Sequence, residues 1–376
     1  MPLKIRWFGA CGDSSGYANS SRNYIHSLSG YKDEIDLSVG RISFETEKTK
    51  HELTPLISSH IREDNGAKIQ ITHLTPENYP KFKNKNPNVY NIGYTTWETS
   101  VLPKDWAELC NQMDEIWVPS TWNIEVFRNS GVTKQITCIP HIVEVKDISS
   151  IQPFKQKGDD YWFYSIFQWT ARKNPFALLM AYFTEFWNDS NVILAIKTYR
   201  KNTTSGEKQI IKNDIENIKR ILGLQKYPPI LFYSNLMTFE EMERLHKTGD
   251  CFVLPTKGEG WGIPFAEAMS FKKATIGPNY GGNIDFMNET NSFLVETHEE
   301  PVHGMVWMPH YTGLMTWGNP DIMDLRKIMR YVFENREEAR KIAEKGKETI
   351  KNECNKEVIG RLMINRLNQI VEEKGL

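Results

Sequence analysis

Apolar and polar positions along this chain keep switching between a period near two and a period near 3.6. Residues 3–8, LKIRWF, alternate and then run apolar, which predicts an opening strand. Gly9, Gly12 and Gly16 follow, and a helix is predicted from near Tyr17 through Ile25 and Leu28. Residues 43–66 are polar with helical pieces. Strands are then predicted over 68–73, 89–94, 115–118 and 136–139, and helices over 106–113 and 123–129. The stretch 146–159 is polar and aperiodic and reads as a linker. The alternation restarts with strands over 161–166, 192–196, 230–233 and the apolar run Phe252, Val253, Leu254. Helices fall between them over 175–187, 209–222 and 238–248, and two helical stretches, 320–353 and 356–373, close the chain. Strand and helix in turn predict an α/β protein of two Rossmann-like, doubly wound domains facing a cleft, over 1–150 and 151–355.

The candidate chemistry concentrates in KGEGWGIPFAEAM, residues 257–269. Pro264 suits the first position of a helix, and Gly258, Gly260 and Gly262 allow a sharp turn and a close ligand approach. Glu259 is therefore expected on the loop after a short buried strand, and Glu267 in the first turn of the following helix. The free N–H groups of that turn attract anions. A second charged turn, Arg172-Lys173, lies between a strand and the helix signals Asn174 and Pro175. Two readings stand there: a phosphate site that meets two cations and a helix N-terminus, or a solvated basic pair.

The pattern E-G-W-G-I-P-F-A-E-A-M resembles the Glu-x7-Glu signature of retaining GT-B glycosyltransferases, above all glycosyltransferase family 4. The resemblance covers roughly residues 3–345 and is strongest over 160–295. It implies that Glu259 contacts the transferred sugar and that Glu267 binds the ribose hydroxyls. Gly260, Trp261 and Gly262 between them would line the donor. Lys173 matches the family's phosphate-binding lysine, while Gln168 stands where many members carry arginine, which makes Arg172 the candidate substitute. GACGDSSGYANSSRN is similar to the family's first glycine-rich loop, with Gly16 offering its N–H to phosphate. GPNYGGNIDFMN is similar to its Gly-Gly-x-x-Glu loop, with Gly281, Gly282, Asn283 and Ile284 as donors and Asp285 in place of the glutamate. Ser234, Asn235 and Leu236 would hold the base through their backbone. The segment NIGYTTWETSVLP is similar to a subset of the family and would turn Thr96, Trp97 and Glu98 toward the cleft. Glu98 is either the replacement for a family histidine absent there, or a carboxylate capping the next helix. His141 is expected to bridge a turn and the linker. Trp317, Pro320 and Asp321 are expected at a packing turn. The resemblance also implies that the last helix, 356–376, crosses back onto the first domain.

Composition narrows the partners. The net charge is -1, and residues 1–150 hold 16 basic against 18 acidic residues, so no basic half suits nucleic acid. The five cysteines are scattered without metal spacing and are expected to be reduced. There is no Asp-x-Asp. The N-terminal residues lack the long apolar core of a signal peptide, and a cytoplasmic enzyme is the simplest expectation. From 326 onward 13 basic residues face 9 acidic ones, which suits a solvated face or weak contact with an anionic membrane.

The expected activity is a retaining, metal-independent hexosyltransferase with a UDP- or GDP-sugar as donor and no other cofactor. Glycans, lipid-linked sugars, proteins and modified bases all remain open as acceptor. Three rivals carry fewer of these residues: a glycoside hydrolase with paired carboxylates, a non-catalytic nucleotide-sugar-binding subunit, and a sugar transferase acting on modified nucleic-acid bases.

Overall fold

The computed structural model describes residues 1–13, 15–42, 53–154 and 158–376. Residues 43–52 of the polar stretch and 155–157 of the expected linker lie outside the described residues. The chain forms two compact units, one of residues 1–97, 101–144 and 352–376, the other of 98–100 and 145–351.

The first unit runs β1 (Leu3–Ala10), α1 (Gly16–Leu28), β2 (Ile35–Ile42), α2 (Pro55–His60), β3 (Ile69–His73), α3 (Tyr79–Phe82), β4 (Tyr90–Tyr94), α4 (Trp106–Cys110), β5 (Glu115–Val118), α5 (Thr121–Asn129) and β6 (Gln135–Cys138). Its sheet has the order β2-β1-β3-β4-β5-β6, and every pairing is parallel. Trp7 on β1 lies between Val39 of β2 and Ile71 of β3 in register. The order reverses between β1 and β3, so the loops after these strands flank the switch point where open parallel sheets take ligands.

The terminal helix Lys356–Lys374 belongs to this first unit. Its Ile359, Met363, Ile364, Leu367 and Ile370 recur at helical spacing and enter one core with Ile5, Trp7, Ile25 and Leu28. Burying five such side chains contributes on the order of 10 kcal/mol of transfer free energy before entropy is charged. A polar clamp fixes the helix in register. Arg366 grips the fully buried Glu115 with Nε at 3.0 Å and a terminal nitrogen at 2.7 Å. Glu115 also accepts from Trp117 Nε1 at 2.9 Å and Thr137 Oγ1 at 2.6 Å, so the buried carboxylate is fully satisfied.

The second unit runs β7 (Tyr161–Gln168), α6 (Pro175–Phe186), β8 (Val192–Tyr199), α7 (Ser205–Leu222), β9 (Ile230–Tyr233), α8 (Phe239–Thr248), β10 (Cys251–Val253), α9 (Ile263–Ser270), β11 (Ala274–Pro278), β12 (Phe293–Val295), β13 (Thr297–Pro301), β14 (Thr316–Pro320), α10 (Ile322–Glu334) and α11 (Arg336–Glu353). Its parallel sheet has the order β12-β11-β10-β7-β8-β9. That is the Rossmann order, with its switch point between β7 and β10. β13 and β14 form a separate antiparallel hairpin.

Several elements depart from the sequence reading. β11, β12 and the β13–β14 hairpin carry no period that announces them, and β2 alternates only over residues 35–39, a run absent from the expected strands. Trp317 and Pro320 lie in β14 rather than at a turn, and Asp321 caps α10 by accepting from Asp324 N at 2.7 Å. The helical stretch 320–353 breaks at Asn335, whose φ of -106° and ψ of 52° leave the helical region. The helix from Trp106 ends at Cys110 instead of Met113. Glu267 is the fifth residue of α9, beyond its first turn, because the helix starts at Ile263 behind the Gly262 cap. None of the five cysteines is joined in a disulfide. No described helix is long and apolar enough to cross a membrane.

Candidate functional site

The switch point of the second unit is built from the turns after β7 and β10. Asn174 ends the first turn with φ 54° and caps α6 by accepting from Ala177 N at 3.3 Å, with Pro175 as the first helical residue. This holds Arg172 and Lys173 between the strand and the helix N-terminus. The second turn docks on the first, since Lys257 N donates to Arg172 O at 2.7 Å and Thr256 Oγ1 to the same oxygen at 3.2 Å. It then bends at Gly262, whose φ of 102° only glycine adopts readily, and α9 begins.

The docking brings together charges that are 86 residues apart. Lys173 Nζ donates to Glu259 Oε1 at 2.5 Å. An Arg172 terminal nitrogen stands 3.5 Å from the same oxygen and donates to Gly258 O at 2.6 Å. The other terminal nitrogen lies 3.4 Å from Glu98 Oε1. Residues 98–100 belong to this unit, and a Cβ on Gly258 would meet Glu98 O at 2.1 Å. Two cations and two carboxylates therefore alternate in one compact, largely buried group.

Burial is the largest influence on Glu259, Lys173 and Arg172. It pushes the Glu259 carboxyl up, but Lys173 and Arg172 reverse the effect and leave it below its usual range. It lowers Lys173, with Glu259 opposing. It lowers Arg172 too, but Glu98, Tyr311 and Glu259 outweigh it and raise the guanidinium. The hydrogen bonds and close charge contacts hold these side chains in one arrangement without a ligand. Glu267 differs: its carboxylate makes no hydrogen bond or ion pair among the described residues. Burial pushes it up to about 7, with Lys146 the opposing charge.

The remaining predicted residues are placed as follows. Gly281 has φ 89° and leads into the short 3-10 turn Gly282–Asp285. The Gly282 N–H donates to Glu259 O at 2.8 Å, so it is spent inside the protein and is not offered to a ligand. Asn283 is fully buried and its Nδ2 donates to Pro278 O at 2.8 Å, which turns its side chain inward. Trp261 is buried against Phe286, ring centroids 4.5 Å apart, and is a packing side chain. Gly260 lies directly beneath Gly282, whose added Cβ would meet Gly260 O at 2.1 Å. Ser234, Asn235 and Leu236 follow β9, two strands and so roughly 10 Å from β7. Asn235 Oδ1 accepts from Lys208 Nζ at 2.5 Å, and Leu236 is exposed.

In the first unit, Gly16 opens α1 behind the cap Ser15, and a Cβ there would meet nothing within 4 Å among the described residues. Thr96 Oγ1 donates to Asn123 Oδ1 at 2.9 Å, and Trp97 is buried against Trp106. Trp97 therefore faces the core rather than a ligand, because its indole needs that burial. His141 is buried, with Nδ1 2.8 Å from the Tyr24 hydroxyl, and burial lowers it to about 3. His73 at the end of β3 is buried beside Ser21 Oγ at 2.7 Å and is held well below its usual value by burial.

Three residues near the site gave no sequence signal. Tyr311 donates to Glu98 Oε2 at 3.0 Å. Lys257 pairs with Glu300, which also accepts from Trp317 Nε1 at 3.1 Å. Lys197, on β8, is buried, burial lowers its proton affinity, and its Nζ stands 5.9 Å from the Tyr199 ring centroid. The partners of Tyr311 and Lys257 lie far away in sequence, so no local pattern marks them. Among the described residues no cluster of three or more metal-ligating side chains occurs.

Known proteins share this α/β fold of two parallel-sheet units. Residues 216–349 match the family model of glycosyl transferases group 1. The solved structure of HepE from Anabaena with UDP and glucose is similar over 98% of this chain and 100% of that one, at 13% identity and TM-score 0.66. Sucrose-phosphate synthase from Thermosynechococcus elongatus is similar over 99% and 100%, at 13% identity and TM-score 0.68. TarM is similar over 79% of this chain at 17% identity and TM-score 0.59, and the match spans about half of TarM, 54%. No curated protein matches the chain by sequence. The two parallel-sheet units thus form the GT-B fold shared by these structures.

Proposed function

We propose that this protein is a retaining glycosyltransferase of the family 4 type that moves a hexose from a UDP- or GDP-sugar to a hydroxyl acceptor. The observation that carries the reading is the buried group Lys173, Arg172 and Glu259 at the switch point of β7 and β10, beside the unpartnered Glu267. Cleaving a sugar–diphosphate bond leaves negative charge on the departing phosphate. Lys173, Arg172 and the N-terminus of α6 stabilise that charge, and they are held in place before the reaction begins. Glu259 accepts hydrogen bonds from sugar hydroxyls once phosphate draws Lys173 away from it. Glu267 accepts the two ribose hydroxyls. The sugar keeps its configuration through front-face attack, in which the departing phosphate takes the acceptor's proton.

The test is donor turnover. Pure protein with EDTA is incubated with UDP-, GDP-, ADP- and TDP-sugars, and nucleoside diphosphate release is recorded. Release from one donor supports the reading, and the EDTA arm reports on metal. Lys173→Ala and Glu259→Gln are each expected to cut that release by about 10²–10³-fold, the scale for losing a preorganised electrostatic contact. Undiminished release from either folded variant would overturn the assignment.

A further inference from the structure

The segment between β13 and β14, residues 302–315, is tied down at several points of the second unit. At its base Val302 N donates to Met315 O at 2.9 Å, and Thr316 N to Ser100 Oγ at 2.9 Å. Gly304 rests on Ala171, whose Cβ would stand 2.8 Å from a Cβ at that glycine. The Trp307 ring is flanked by Arg200 and Lys201, each 5.2 Å from its centroid. Residues 171–172 follow β7 and residues 200–201 follow β8, so the segment lies across the carboxyl ends of both strands. Its Tyr311 hydroxyl donates to Glu98 Oε2 at 3.0 Å, and Glu98 Oε1 faces Arg172 at 3.4 Å.

Arg172 has several acceptors to choose from: Glu98, Glu259 and Gly258 O. A long cationic side chain that settles only during the reaction loses its rotamer freedom at that moment, which raises the barrier. Glu98 removes the choice only if it is itself fixed, and Tyr311 is what fixes it. The geometry points to Tyr311 as a positioning residue: acting through Glu98, it holds the Arg172 guanidinium beside Lys173 before the sugar–phosphate bond breaks. This rests on the reading of Arg172 and Lys173 as the leaving-group site.

The probe is Tyr311→Phe, which keeps the ring and its packing and removes only the hydroxyl. With the donor found above, kcat is expected to fall about ten-fold while donor KM stays within about two-fold, because the fixed guanidinium serves the transition state. In an Arg172→Ala background the same change is expected to have no further effect, whereas a packing role would add its loss to that of Arg172. Wild-type kcat in Tyr311→Phe, or an additive loss in the double variant, overturns the proposal. If the wild type releases no nucleotide, the leaving-group reading fails on its own. The positioning is then read in the donor-free protein by 15N relaxation of the Arg172 Nε–H. Order that falls in Tyr311→Phe upholds the positioning, and equal order in both proteins overturns it.

Discussion

The loop after β1 and the loops after β10 and β11 all place glycines at the carboxyl end of a parallel strand, yet the glycines answer different demands. Gly262 is there because its φ is 102°, and Gly282 because Gly260 O would lie 2.1 Å from its Cβ. Those are demands of the folded chain itself. Gly16 has an ordinary backbone, and among the described residues nothing stands within 4 Å of where its Cβ would be. Its missing side chain answers no contact among those residues, and on the proposed function the space serves a ligand. The loops after β10 and β11 pack on each other beside a charged group, whereas Gly16 stands clear of the described residues.

Gly282→Ala should therefore have the largest effect. Its Cβ would collide with backbone that cannot step aside, since Gly282 N is bonded to Glu259 O at 2.8 Å. A cost of several kcal/mol corresponds to a fall in Tm of roughly 10 °C or more in a unit of this size, visible in a thermal melt. A melt that matches the wild type would break the comparison. Gly16→Ala should do the reverse. Alanine favours a helix start over glycine by up to about 1 kcal/mol, so Tm should hold or rise slightly. The KM of donor or acceptor should rise about ten-fold or more, because the methyl group occupies the approach to the α1 N–H groups. Unchanged kinetics would mean that no ligand uses this loop.

The same contrast explains what the sequence made legible. The β10–α9 turn could be read because its demands are local: three glycines and Pro264 at a helix start leave few alternatives. β2 escapes the sequence reading although Ile35, Asp36, Leu37, Ser38 and Val39 alternate, because the run is only five residues long before Gly40 and Arg41 interrupt it. Its polar Ser38 is buried and bonds Ile5 O at 3.3 Å. The break at Asn335 sits in a stretch whose helical period continues on both sides. Glu98 was visible as a carboxylate after a strand, but its partners Arg172 and Tyr311 come from 74 and 213 positions further along, by subtraction of their numbers. Tyr311 lies in a hairpin whose strand TWGNP contains glycine and proline and reads as a turn. The residues that set backbone shape were visible locally. The residues that set side-chain position were not, because tertiary pairing chooses them.

Glu267 offers the finest test, since it is the carboxylate of this region that the fold leaves without a partner. In the donor-free protein burial holds it near 7. Two ribose hydroxyls would favour its ionised form, so donor binding should release a proton around neutral pH. Donor affinity should then tighten roughly three- to ten-fold from pH 6 to pH 8 and level off above, the span set by one group titrating near 7. Calorimetry in two buffers of different ionisation enthalpy counts the proton, and Glu267→Gln should abolish both the release and the slope. Stability gives an independent check of sign. The folded carboxyl lies above its unfolded value of about 4.3, so its contribution is full below that value and is lost as pH rises through 7. Glu267→Gln should therefore melt like the wild type at pH 4 and above it at pH 8. If the stability difference appears but donor affinity stays flat, Glu267 is a desolvated carboxylate that no ribose reaches, and the ligand side of the β10–α9 loop must be sought at Glu259 and Lys173 alone.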